Sequence, residues 1–124
     1  MYTVVRFTSQ SVGNDVLQSL GEAINAVRPA VFDHLHRRGG ALVCDVHHND
    51  DGSFADHQRA MLAFVDELRD VIRRAMADGM FVEFDVAIQP AAKPPGVAAL
   101  CFRVSPHLMA TLAAENISLM ISDY

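Results

Sequence analysis

Lysine is nearly missing from this chain. Of ten basic residues nine are arginine and Lys93 stands alone, against fifteen Asp and Glu, and the formal charge is −5. Without a basic stripe interleaved with aromatic side chains, nucleic acid is not an expected partner. Cysteine occurs only twice, which gives no disulfide framework. Cys44 and Cys101 lie in the apolar runs Leu42-Val43-Cys44 and Leu100-Cys101-Phe102, so both are expected to be buried and reduced. Long hydrophobic runs are also lacking. Apolar residues make up 51% of the chain, yet they recur periodically, and none of their runs nears the roughly 20 residues that span a bilayer, so no membrane partner is expected. The opening Met1-Tyr2-Thr3-Val4-Val5-Arg6 lacks the charged, apolar and small-residue regions of a secretory signal, and a cytoplasmic location is the expectation.

The usual catalytic signatures are missing too. No serine or cysteine sits in a glycine-rich nucleophile elbow, and Arg38-Gly39-Gly40-Ala41 lacks the length and the Lys-Ser/Thr of a phosphate loop. Neither His-Glu-x-x-His nor Cys-x-x-Cys spacing occurs. What the chain does have is histidine in one place. Five of its six histidines fall between His34 and His57, interleaved with Asp33, Asp45, Asp50, Asp51 and Asp56.

The 124 residues suffice for one domain, spanning 1–124, with no repeats or linkers. Residues 2–9 alternate as a strand, and Val16, Leu17, Leu20 and Ile24 recur at helical spacing behind Asn14 and Asp15, either of which can cap a first helix to about residue 26. From there two readings stay open. Val27, Val31 and Leu35 can continue the helical stripe past Pro29 to Arg37-Arg38-Gly39. Alternatively Arg28-Pro29 ends the helix, and residues 30–36 pair with 41–48 around Arg37-Arg38-Gly39-Gly40 as a β-hairpin. Pairing His36 with Ala41 and His34 with Val43 puts Val31, Leu35, Leu42, Cys44 and Val46 on a core face. His34, His36, Asp45 and His47 then project together on the other face. On a helix, His34 and His36 would point nearly opposite ways.

Asn49-Asp50-Asp51-Gly52 reads as a turn, and Ser53-Phe54-Ala55-Asp56 as a capping box opening a long helix. Its stripe of Met61, Phe64, Val65, Leu68, Val71, Ile72, Ala75 and Met76 is core by spacing, and Gly79 stops it. Residues 80–88 alternate as a half-buried strand. The Pro-rich connection 89–96 leads to a second strand over 97–104, expected as its antiparallel neighbour. Ser105-Pro106 starts a helix, Asn116 can end it in the left-handed conformation, and residues 117–122 alternate as a last strand. The expectation is an α+β fold: a single, mostly antiparallel, twisted sheet of about five to six strands with helices packed on one face.

The long capped helix, the strand Phe81-Val82-Glu83-Phe84-Asp85, the junction Val104-Ser105-Pro106, the helix end Leu112-Ala113-Ala114-Glu115-Asn116 and the closing Ile117 to Tyr124 together resemble a bacterial family, domain of unknown function family 4279. The likeness covers residues 53–124, and Leu17-Gln18-Ser19-Leu20-Gly21 is similar to the family's first helix. Where the family often carries a tryptophan before the long helix, this chain has Asp45-Val46-His47. The resemblance implies a small cytoplasmic α+β module, some relatives of which are suspected antidotes beside toxin genes, and it brings no catalytic residues.

Two functions compete. One is a non-catalytic protein-binding module, an antidote (immunity-type) protein in its most concrete form, with another protein as partner and His34, His36, Asp45 and His47 as its surface. The alternative makes those four residues ligands of zinc, manganese or iron in a metal-dependent hydrolase, with His48 or His57 as acid or base. His107 near a helix start, and Glu83 and Asp85 on one strand face, read as ordinary surface. The first function is preferred, with no cofactor and no catalytic residues.

Overall fold

The computed structural model describes residues 1–9, 11, 13–28, 35–38, 40–50, 53–89, 95–96 and 101–123, with residues 35–38 as backbone alone. The order is β1 (Tyr2–Thr8), α1 (Asn14–Val27), β2 (Leu35–Arg38), β3 (Ala41–His48), α2 (Phe54–Ala77), β4 (Phe81–Ile88), α3 (Pro106–Ala114) and β5 (Ser118–Asp123). Among the described residues five strands form one sheet in the order β2-β3-β1-β4-β5. The first six elements follow the β-α-β-β-α-β arrangement of split βαβ folds, and α3 with β5 extends it. The architecture is α+β, and the sheet is mixed: β1 is antiparallel to both β3 and β4, and β2 to β3, whereas β5 runs parallel to β4.

Three of the four pairings are antiparallel, in line with the expectation, and the parallel pair corrects the part of it that set strand 97–104 as the antiparallel neighbour of β4. Residues 101–105 form no strand, and the two neighbours of β4 are β1 and β5. Parallel strands need a long crossover, which α3 and its flanking segments supply. Cys101 is exposed instead of buried, because the chain there supports the core only through Phe102 and Val104; Cys44 is buried. Burial pushes the Cys44 thiol up to about 12, with Arg28 opposing and Asp45 reinforcing the shift.

The hairpin forms, and the kinked-helix reading fails at Leu35–Arg38. Its register is two residues tighter than expected, Arg38 facing Ala41 and His36 facing Val43. A slide of two keeps every residue on its face, so Leu42 and Cys44 enter the core as foreseen.

One apolar cluster lies between the sheet and the helices. Val5 and Phe7 of β1, Leu42 and Cys44 of β3 and Val82, Phe84 and Val86 of β4 meet Leu17, Leu20 and Ile24 of α1, the α2 stripe and Leu108 and Leu112 of α3. Arg28, just past α1, lies 5.3 Å from the centre of the Phe64 ring and pairs with Glu67 at 3.4 Å, tying α1 to α2. Caps differ from the sequence reading at two starts. Gly13, rather than Asn14 or Asp15, caps α1 without a side-chain bond; Ser53 caps α2 likewise, and Asp56 pairs with Arg59. At α3 the reading holds, with Ser105 Oγ accepting from the Leu108 amide at 3.1 Å and Asn116 left-handed at φ 56°.

A buried carboxylate joins the last helix to α2. Glu115 accepts from Arg69 Nε at 3.0 Å and from Arg73 Nε and NH2 at 2.9 and 2.8 Å. The Arg73 hydrogen bonds hold its carboxyl below the usual range against the opposing effect of burial, with Arg69 adding to them. A carboxyl depressed in the folded state stabilises above its unfolded pKa, and that contribution is lost as pH falls through the folded value. Glu115→Gln is therefore expected to cost about 1 kcal/mol at pH 7, the guanidiniums being partly solvated. Its stability should also fall less steeply than the parent's below about pH 4. Urea unfolding at pH 7 and in steps below pH 4 measures both.

Candidate functional site

The four residues that sequence reading gathered on one face do not stay together. His34 lies outside the described residues, and His36 takes the register position opposite Val43. Asp45 is on the face away from the helices, where its partner is Val4. His47 is on the other side. Between the pairs Val4↔Asp45 and Thr3↔His47 the register shifts by one residue, a β-bulge at Val46. Alternation beyond a bulge is displaced by one, which turns His47 under α2 while Val46 also packs on the core, and returns His48 to the outer face beside Tyr2.

Under α2, His47 meets His57, the rings edge to face with centroids 4.7 Å apart. His57 is fully buried in the first turn of α2. Its Nδ1 lies 2.7 Å from Thr3 Oγ1 and its Nε2 lies 3.0 Å from Asn49 Oδ1. Asn49 Nδ2 donates to the Ser53 carbonyl at 3.1 Å, so its Oδ1 is the atom that faces the imidazole and can only accept. His57 therefore carries its proton on Nε2, and in the neutral ring Nδ1 accepts from the Thr3 hydroxyl. Both ring nitrogens are spent on structure. His47 Nε2 is buried with no hydrogen-bond partner among the described residues.

The outer face of the sheet, over which no described helix lies, carries a second polar group that sequence reading left as ordinary surface. Arg6 of β1 pairs with Asp85 at 2.6 Å and with Glu83 at 3.9 Å, and Ser122 Oγ of β5 donates to Asp85 Oδ1 at 2.8 Å. Asp85 is only 1% exposed. Cross-strand register dictates the meeting: Val4 faces Asp85 and Arg6 faces Glu83, so an arginine on β1 reaches both carboxylates of β4. On the other side of β1 the Tyr2 hydroxyl donates to Asp45. Burial, then that hydrogen bond and the Asp45 charge, raise the phenol above its ordinary value, so Tyr2 remains a donor at any physiological pH. Phe81, 52% exposed, and Met120, 38% exposed, flank the charged group on the same face.

Asp85 is covered by two donors and Tyr2 is held protonated. No group of three or more His, Cys, Asp or Glu side chains among the described residues can hold a metal ion. Sequence reading offered His57 only as an acid or base and left it out of the core, although a signal was there: Phe54, His57, Met61 and Phe64 follow the three- and four-residue spacing of the buried α2 stripe. Comparison with protein-family models, curated proteins and solved structures returned no match, so the resemblance to family 4279 rests on the residues quoted for it alone. No helix among the described residues is long and apolar enough to cross a membrane.

Proposed function

We propose that this chain is a non-catalytic protein-binding module that meets its partner on the outer face of the sheet. The observation that carries the reading is the helix-free face itself. Its charged side chains Arg6, Glu83 and Asp85 are held together across β1 and β4, with Ser122 of β5 bonded to Asp85 and exposed Phe81 and Met120 beside them. Side chains already locked by neighbours lose little rotamer freedom on docking, and an apolar contact bordered by satisfied polar groups is the anatomy of a protein interface. The charge of −5 favours a basic partner. An antidote that masks a basic toxin is the concrete form of this role. Asp45 belongs to the surface and His36 to the same part of the sheet by register, while His47 serves the interior.

Charge reversal separates this face from the rest of the molecule. Glu83→Arg places a cation on the outer face, and Glu22→Arg does the same on exposed α1. With affinity-tagged chains expressed in the native cells, one basic protein is expected to co-purify stoichiometrically with the parent and with Glu22→Arg. Its recovery with Glu83→Arg should fall at least about tenfold, like-charge juxtaposition costing several kcal/mol. A partner retained by Glu83→Arg and lost by Glu22→Arg would contradict the assignment of the face.

A further inference from the structure

Away from the sheet face, α1 and α2 part company at one end. They are tied at the end of α1 by Arg28 on Phe64 and Glu67, and at the start of α1 they enclose an open cavity of about 310 Å³. Small residues create it: Ser19 and Ala23 of α1 and Ala75 of α2 line it, where longer side chains would close it. Val16, Leu20, Val71 and Met80 make the floor apolar, and Asp15, Arg74 and Asp78 are its charged members.

Among the described residues those three charges have no ion-pair partner. Arg74 stands four residues from both Asp70 and Asp78, the spacing that forms ion pairs on a helix. It pairs with neither, although the neighbouring Arg69 and Arg73 are both engaged with Glu115. Neither Asp15 nor Asp78 has a salt bridge among the described residues. A simple carboxylate would meet two acids there, and a simple amine would meet the arginine. An apolar body carrying both charges satisfies all three.

We propose that this cavity binds an apolar α-amino acid, its side chain on the Val16, Leu20, Val71 and Met80 floor, its carboxylate on Arg74 and its ammonium on the aspartates. The size suits the class, since pockets for small ligands begin at about 300 Å³ and are mostly apolar with a few placed polar groups. Rim charges exposed to water contribute modestly, so a Kd of order 1 mM is expected for a ligand of about ten heavy atoms. The site is independent of the sheet face.

Titration of the full chain with leucine and with phenylalanine, followed by ¹H–¹⁵N correlation spectra, tests this. Saturable shifts are expected at α1 and at the end of α2 for both. Isocaproate and isoamylamine, which each keep one charge of leucine, should bind at least about fivefold more weakly. Arg74→Gln should equalise leucine and isoamylamine, and Ala23→Leu, which fills the trough on a half-buried helical position, should abolish binding with the spectrum otherwise folded. Equal binding of isocaproate and leucine overturns the zwitterion assignment. The absence of any saturable shift at 10 mM ligand, about ten times the expected Kd, overturns the site.

Discussion

His57→Ala is expected to destabilise the protein by about 3 kcal/mol, the largest loss foreseen for any single polar side chain in the molecule. Removal of a fully buried imidazole leaves a cavity between α2 and the sheet, and it strips the Thr3 hydroxyl and Asn49 Oδ1 of their partner. Each orphaned group adds about 1 kcal/mol or more. For a chain of this size the midpoint of thermal unfolding should fall by about 10 °C. The hydrogen bonds and the volume can be told apart. His57→Phe restores volume but not bonding and should recover only part of the loss. Combining Thr3→Val with His57→Leu removes one hydrogen-bonding pair altogether and should unfold at a higher temperature than His57→Ala. Equal stability of His57→Ala and the parent in calorimetry would mean that the imidazole is not packed under α2.

Asp85→Ala is the second large effect, at about 2 kcal/mol. The carboxylate is buried on the outer face, and its loss leaves Arg6 without its closest partner and Ser122 without its acceptor. Taking one member from a buried pair costs more than replacing both, because the survivor stays desolvated. Arg6, 30% exposed, recovers some hydration, which sets the figure below that of a fully enclosed pair. The double variant Arg6→Met with Asp85→Leu should therefore lose less than Asp85→Ala alone in urea unfolding. A double variant that loses the sum of its two parts would show that the residues do not interact.

Much of this architecture is legible in the residues, and the gaps have physical causes. The alternation of Met80 to Ile88, the α2 stripe and the Ser105-Pro106 cap follow from period and local hydrogen bonding, and the structure has all of them. The hairpin register could slide by two residues without moving any side chain to the other face, so its core was legible even with the turn misplaced. The bulge at Val46 could not be read. It changes the count of residues between β1 and β3 by one while leaving the alternating pattern Val43 to His48 intact on paper, and it separates His47 from Asp45. Arg6, Glu83 and Asp85 were visible as polar positions on two strands, but their meeting depends on β1 lying between β3 and β4, a non-local pairing that periodicity does not encode. The crossover through α3 allowed β5 to be parallel, and nothing short of the assembled sheet chose it.

Native mass spectrometry of the chain isolated from its own cells, grown in metal-replete medium, bears most directly on whether the outer face is a protein-docking surface. The prediction is a metal-free chain with one basic polypeptide bound, a complex that Glu83→Arg dissociates. A chain that carries one tightly held zinc, manganese or iron ion and no polypeptide, and loses the ion on Asp45→Ala, would contradict it.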